Sequence, residues 1–195
     1  METTSASRLG VVEPCVGCPP EIGTSLWTLH EARERTLRYV EGISQDVLDW
    51  DPPGQRYSVA TLLYHIAVIE VDWLFIDILG GEDDEVRRIP QCPPELAEHL
   101  PYPTLMEDRS YPPVSGEPLA VHVERLSVTR QALVDVLTGM SLEDFRTLRP
   151  SGDDQVTPEW VIEHLAQHEA EHRGQIWEAR VAGEDALGIT GTDPS

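Results

Sequence analysis

Four stretches of this sequence place apolar residues at helical spacing, and none alternates convincingly with a period of two. That pattern leaves little room for a sheet and predicts an all-α fold. The first stretch runs from about Thr24 to Glu41, with Leu26, His30, Arg33, Leu37 and Val40 at helical spacing, and breaks at Gly42. The second opens on Ser58, a hydroxyl N-cap, sets Leu62, Leu63, Ile66, Ile69 and Trp73 on one side, and ends at Gly80 and Gly81. The third spans about Leu119 to Leu137. The fourth opens on Thr157-Pro158-Glu159: a capping hydroxyl, a proline at the first helical position and an acid at the positive end of the helix dipole. It should continue to Ala182, with Gly183 just beyond. From Pro90 to Pro118 prolines recur every few residues, which predicts a long loop holding at most short helical turns.

The two halves echo each other. SQDVLDW (Ser44 to Trp50) precedes SVATLLYHIA (Ser58 to Ala67), and SLEDFRTL (Ser141 to Leu148) precedes TPEWVIEHLA (Thr157 to Ala166). Each half gives a short acidic turn-helix, a linker, a hydroxyl cap, and a histidine seven positions after the cap. The repeat predicts two helix pairs related by a pseudo-twofold, hence an up-and-down four-helix bundle whose second and fourth helices hold equivalent places.

Composition narrows the class. At 195 residues one domain is expected: an arm over residues 1–20, a bundle over 21–185 and a tail over 186–195. A net charge of −21 repels phosphate backbones and anionic lipid, so neither nucleic acid nor membrane is an expected partner. All 14 basic residues are arginine, and the absence of lysine excludes Schiff-base chemistry and a P-loop. No apolar run is long enough for a signal peptide or an uninterrupted span, which predicts a cytoplasmic protein. Three cysteines, Cys15, Cys18 and Cys92, are too few for a disulfide scaffold; the lone CxxC is weak evidence for zinc or redox chemistry, and Cys92 reads as a plain thiol.

Chemistry concentrates in HLAQHEAEHRGQI, residues 164 to 176, where histidines stand four apart. Imidazoles at that spacing rise above one another on one helical face and can converge on one ion. The span from His164 to His172 is roughly 12 Å of rise, too long for both to reach the same ion. The pair is therefore His164 with His168 or His168 with His172. The latter two continue the stripe of Val161 and Leu165, and so face the interior, where two unpartnered imidazoles would be costly to desolvate. A third ligand is expected from the pseudo-equivalent helix, with His65 the candidate; three protein ligands would leave a coordination position open. His30, His99 and His122 read as hydrogen-bonded core or boundary residues.

The second helix, PGQRYSVATLLYHIAVIEVDWL, and the fourth, TPEWVIEHLAQHEAEHRGQI, resemble the DinB/YfiT-like superfamily of metalloenzymes. The resemblance implies a four-helix bundle, often a homodimer, holding a divalent metal through His65, His168 and His172, with His164 a bystander. In the mycothiol-dependent branch the first fourth-helix ligand is often glutamate; His168 instead resembles the generic DinB and bacillithiol-transferase branch. The implied activity is transfer of a low-molecular-weight thiol to an electrophilic small molecule at zinc, nickel or iron. Metal-dependent hydrolysis is the alternative, and a non-catalytic metal-binding stress protein is a third reading. Asp72, on the face of His65, Trp73 and His164 are candidates for the ligands' hydrogen-bond partners or the substrate pocket. The plainer expectation is that Glu70 and Asp72 are solvated or bonded to a histidine and that Trp73 is core. The proline-rich loop would roof the site, with Tyr102 and Tyr111 as binding surface.

Overall fold

Hydroxyl caps set the frame. In the computed structural model, which describes residues 11–54, 57–81 and 92–189, the side chains of Ser44, Ser58, Ser141 and Thr157 each accept a backbone N–H at the start of a helix. The elements are α1 (Pro20–Val40), α2 (Gln45–Leu48), α3 (Val59–Asp72) with a π-helical continuation Trp73–Ile78, α4 (Pro94–Ala97), α5 (Leu119–Thr138), α6 (Leu142–Phe145), a hairpin of β1 (Arg149–Ser151) and β2 (Asp154–Val156), and α7 (Pro158–Leu187). The long helices α1, α3, α5 and α7 form the all-α bundle the periodicity predicts. Residues 1–10 of the expected arm, the start of the proline-rich segment at Pro90, and residues 190–195 of the expected tail lie outside the described residues.

Four local expectations are corrected. Helix α1 starts at Pro20, because a proline at the first position suits a helix start. Just before it, the backbone N–H of Cys15 donates to Gly23 O at 3.0 Å, an approach so close that a Cβ at Gly23 would meet Cys15 O at 2.4 Å. Helix α7 runs through Gly183 to Leu187 and ends on Gly188 in the left-handed region. Gly183 serves packing instead, since a Cβ there would meet the Trp50 ring at 3.2 Å. A short antiparallel ladder does form, turning at Gly152 with φ +58°, in strands of three residues that are too brief to show alternation.

Helix directions are the fourth correction. Arg180 donates to Tyr39 O and Glu41 O at the far end of α1, and Ser25 to Glu163 at the near end, so α1 and α7 run parallel. Ser58 donates to Val114 O just before α5, and farther along Glu70 meets Arg130, so α3 and α5 are parallel as well. The order is up-down-down-up rather than alternating. The physical cause is the connection through residues 79–118, which is long enough to return to the starting end before α5 begins.

Two apolar clusters fill the bundle, one around Leu62, Leu63, Ile66 and Ile176, the other around Ile22, Leu29, Leu74, Leu133 and Ile162. The window Val59–Ile78 is long and apolar enough to cross a membrane, with mean hydropathy 1.7, but 72% of it is buried in the bundle as core.

Between the clusters lie four charges, one from each long helix. Arg33 donates to Glu169 at 2.7 Å and to Glu70 at 2.8 Å; Arg130 pairs with Glu70 and, at 2.9 Å, with Glu169. Arg33 also donates to Leu126 O at 2.6 Å and Arg130 to Leu29 O at 2.7 Å. This arrangement obeys the sequence repeat. Arg33 and Arg130 each stand eleven residues before the cap serines Ser44 and Ser141, Glu70 and Glu169 each twelve after the caps Ser58 and Thr157, and the accepting carbonyls each four before an arginine. The tetrad marks the pseudo-twofold axis. Its formal charge sums to zero, and removing one member would strand a buried charge, at a cost of about 3–5 kcal/mol.

Candidate metal centre

His65 projects from the middle of α3, where burial on nearly all sides follows from an almost unbroken apolar run. His168 and His172 project from α7 one turn apart. Their rings meet: His65 Nε2 lies 3.2 Å from His168 Nε2, which lies 3.0 Å from His172 Nε2, and the three ligand nitrogens all fall within 4.8 Å of one another. His65 and His172 are buried and His168 is half-buried, so the cluster faces solvent on the side of His168.

Burial decides the charge state. Desolvation, then the neighbouring imidazoles, lowers the His65 pKa from 6.5 to about 2; desolvation, His172 and His164 lower that of His168 to about 3. Burial also lowers His172, against the opposing pull of Gln175 and Glu171. All three rings are therefore neutral at pH 7. His172 Nδ1–H donates to Gln175 Oε1 at 2.9 Å, which leaves its Nε2 as a bare lone pair aimed at the cluster.

A divalent cation fits this donor set. A single Nε2–H on His168 can satisfy one neighbouring lone pair but not both, whereas one cation accepts all three. Nitrogens about 2.1 Å from a tetrahedral ion stand about 3.4 Å apart, a few tenths from the 3.2 and 3.0 Å separations that His168 makes, while His65 and His172 lie within 4.8 Å of each other. His65 Nδ1 is buried without a hydrogen-bond partner. What holds that ring is Tyr111, stacked on it at 3.7 Å between centroids and 13° between planes, with Tyr57 stacked behind at 4.3 Å. The proline-rich loop is pinned where it crosses α3: Tyr102 N donates to Tyr64 Oη at 3.0 Å and Val114 N to Thr61 Oγ1 at 3.0 Å. Tyr111 thus walls the site. Tyr102 packs edge-on against Tyr64 rather than facing the imidazoles.

Other candidates lie elsewhere. His164 stays outside the cluster, stacked on Trp160 and 4.9 Å from the Trp73 ring, and the repeat explains why. Counting from Ser58 and Thr157, His65 matches His164, Ile69 matches His168 and Trp73 matches His172. The Trp73–His164 pair repeats the His65–His172 pair, whose centroids are 4.8 Å apart, but Ile69 and Trp73 offer no ligand atoms. His164 thus stands at the place matching His65 across the pseudo-twofold, in a mirrored site whose other two positions carry no ligand. Half-buried Trp73 joins Trp160 and His164 in an aromatic cluster beside His168. Asp72 is half-buried at the end of α3 and is not part of the converging donor set. Glu70 is neither solvated nor bonded to a histidine; it is 2% exposed and belongs to the tetrad. Burial pushes the Cys92 thiol up to about 11, and Cys15 and Cys18 are unbridged.

From the sequence Gln175 is expected to bond across the bundle, whereas it bonds His172 within its own helix, and sequence reasoning missed the tetrad. Gln175 was accessible from its place one turn after His172, and the tetrad from extending the repeat back to Arg33 and Arg130.

An all-α bundle with three neutral imidazoles converging from two helices defines a class of bundle protein whose histidine cluster could hold a metal ion. The family model described as the DinB superfamily matches residues 28–176, and the chain belongs to that superfamily. It is also similar to the uncharacterized protein YuaE of Bacillus subtilis (strain 168), 24% identical over 156 residues that cover 77% of this chain and 94% of the relative.

Proposed function

We propose that His65, His168 and His172 hold a divalent cation and that the protein transfers a low-molecular-weight thiol to an electrophilic small molecule. The convergence of three imidazole nitrogens, with His168 only half-buried, carries this reading. Neutral imidazoles leave the ion its full double charge, so a bound cation supplies a Lewis acid able to ionise a thiol at neutral pH. Zinc, nickel and iron(II) all suit imidazole ligands.

The chain's own residues do the rest. Gln175 fixes the tautomer of His172, and Tyr111 clamps the plane of His65. Trp73, Trp160 and His164 place aromatic surface suited to an apolar electrophile beside half-buried His168. The nucleophile has to come from outside, because no cysteine joins the cluster and the Cys92 thiol stays protonated at pH 7.

The test is to incubate metal-loaded protein with a panel of small thiols and an electrophilic dye. Conjugation that vanishes in His168→Ala supports the proposal. Hydrolysis of esters or amides without conjugation would replace it with a metal-dependent hydrolase, and neither activity would leave a metal-binding protein without catalysis.

A further inference from the structure

The histidine cluster needs α3 and α7 to keep one relative register. A slip of a single residue moves a side chain by about 1.5 Å along the axis and 100° around it, enough to aim one imidazole away from the other two. Apolar burial is non-directional and by itself fixes the register less sharply than directed bonds do. Charged pairs held by several directed hydrogen bonds do not.

The tetrad stands where such a lock is needed. Glu169 is the residue after His168, and Glu70 lies five residues beyond His65 on the other ligand-bearing helix. Both carboxylates are gripped by the same two guanidiniums, so Arg33 and Arg130 tie α3 to α7 through common partners. Each arginine is anchored in turn to a backbone carbonyl, Leu126 O or Leu29 O, on the other of the two arginine-bearing helices. Thr129 adds a further donor to Glu70 at 3.4 Å. All four side chains are nearly out of solvent, from 1% exposure at Glu169 to 12% at Arg130.

We propose that Arg33, Glu70, Arg130 and Glu169 are positioning residues for the histidine site, fixing the rise and rotation of α3 against α7 so that the three Nε2 atoms remain convergent. This rests on the metal-binding reading of those histidines. The tetrad touches no ligand atom and acts only through the helices it joins. It also explains why a site with ligands from just two helices draws on all four.

The test measures affinity for zinc or nickel by competition with a chromophoric chelator, on folded protein, for Arg130→Lys, Arg33→Lys and Glu169→Gln. The lysine variants keep the charge, so a loss of affinity in them reports geometry rather than field, and they avoid stranding a buried charge if Glu169→Gln fails to fold. Leu137→Ala, in the apolar cluster away from the histidines, serves as a control of comparable thermal destabilisation. The expected result is a Kd raised roughly 10-fold in the tetrad variants, the low end of the range for groups bonded directly to metal ligands, and less than 3-fold in the control. Equal small changes in both would overturn the positioning role while leaving the metal site intact. A parent protein that binds neither metal would overturn the metal reading and the positioning role with it.

Discussion

A histidine that stays neutral inside a fold makes stability depend on pH, and the sign follows from which state takes up the proton. His65, His168 and His122 have folded pKa values lowered from 6.5 to about 2, 3 and 4, each chiefly by desolvation. Above pH 7 both folded and unfolded chains hold these rings neutral, and the shift contributes nothing. As pH falls through 6.5 the unfolded chain gains protons that the folded one refuses, so the native state loses ground until the folded pKa values are reached. Each such ring is worth about 1 kcal/mol per pH unit in that window. Urea unfolding of metal-free protein should therefore show a steady drop in stability from pH 6.5 to 5; equal stability at both ends would contradict the neutral, desolvated imidazoles. At the same scale, Gln175→Leu should weaken zinc binding by roughly 10-fold by freeing the His172 tautomer, measurable by chelator competition, with little change in unfolding temperature.

Helix α7 carries two glycines whose roles differ. Gly174 has open space where a Cβ would stand, so Gly174→Ala should stabilise the protein by about 0.5–1 kcal/mol through helix propensity. Gly183 faces the Trp50 ring, and Gly183→Leu should cost about 1–3 kcal/mol by overpacking, both read by thermal unfolding. The mirrored site offers a constructive test. Placing histidines at the two positions that match His168 and His172, Ile69→His with Trp73→His, should raise the zinc stoichiometry by one equivalent beside His164. Unchanged stoichiometry in a folded double variant would show that the pseudo-twofold does not extend to the ligand positions. Helix identities were legible because hydroxyl caps and apolar spacing are local signals: Ser58 and Thr157 behave as read. Helix directions were not, because nothing local distinguishes a connection that turns back from one that crosses the bundle. The end of α7 was misread because Gly183 has the composition of a cap and the environment of a packing site. Glu70 was misread for a related reason: a glutamate beside an apolar stripe looks solvated until the arginines from two other helices are placed against it.

Across the whole molecule, arginine does work that lysine could not share. In a chain with net charge −21 the few cations are not all at the surface: Arg33, Arg125 and Arg180 are buried, where planar guanidiniums satisfy several acceptors at once. Arg125 grips Glu117 with two bonds and His99 O with a third, pinning the end of the proline-rich crossover at the start of α5. The crossover thereby holds Tyr111 on His65, and the tetrad holds α3 on α7. The fold converges on one small volume between those two helices, and function follows from what that volume binds. Elemental analysis of tag-free protein, alongside His168→Ala, is the direct measurement. One equivalent of a divalent transition metal per chain, lost on the substitution, is the predicted result; substoichiometric metal that the substitution leaves unchanged would contradict it.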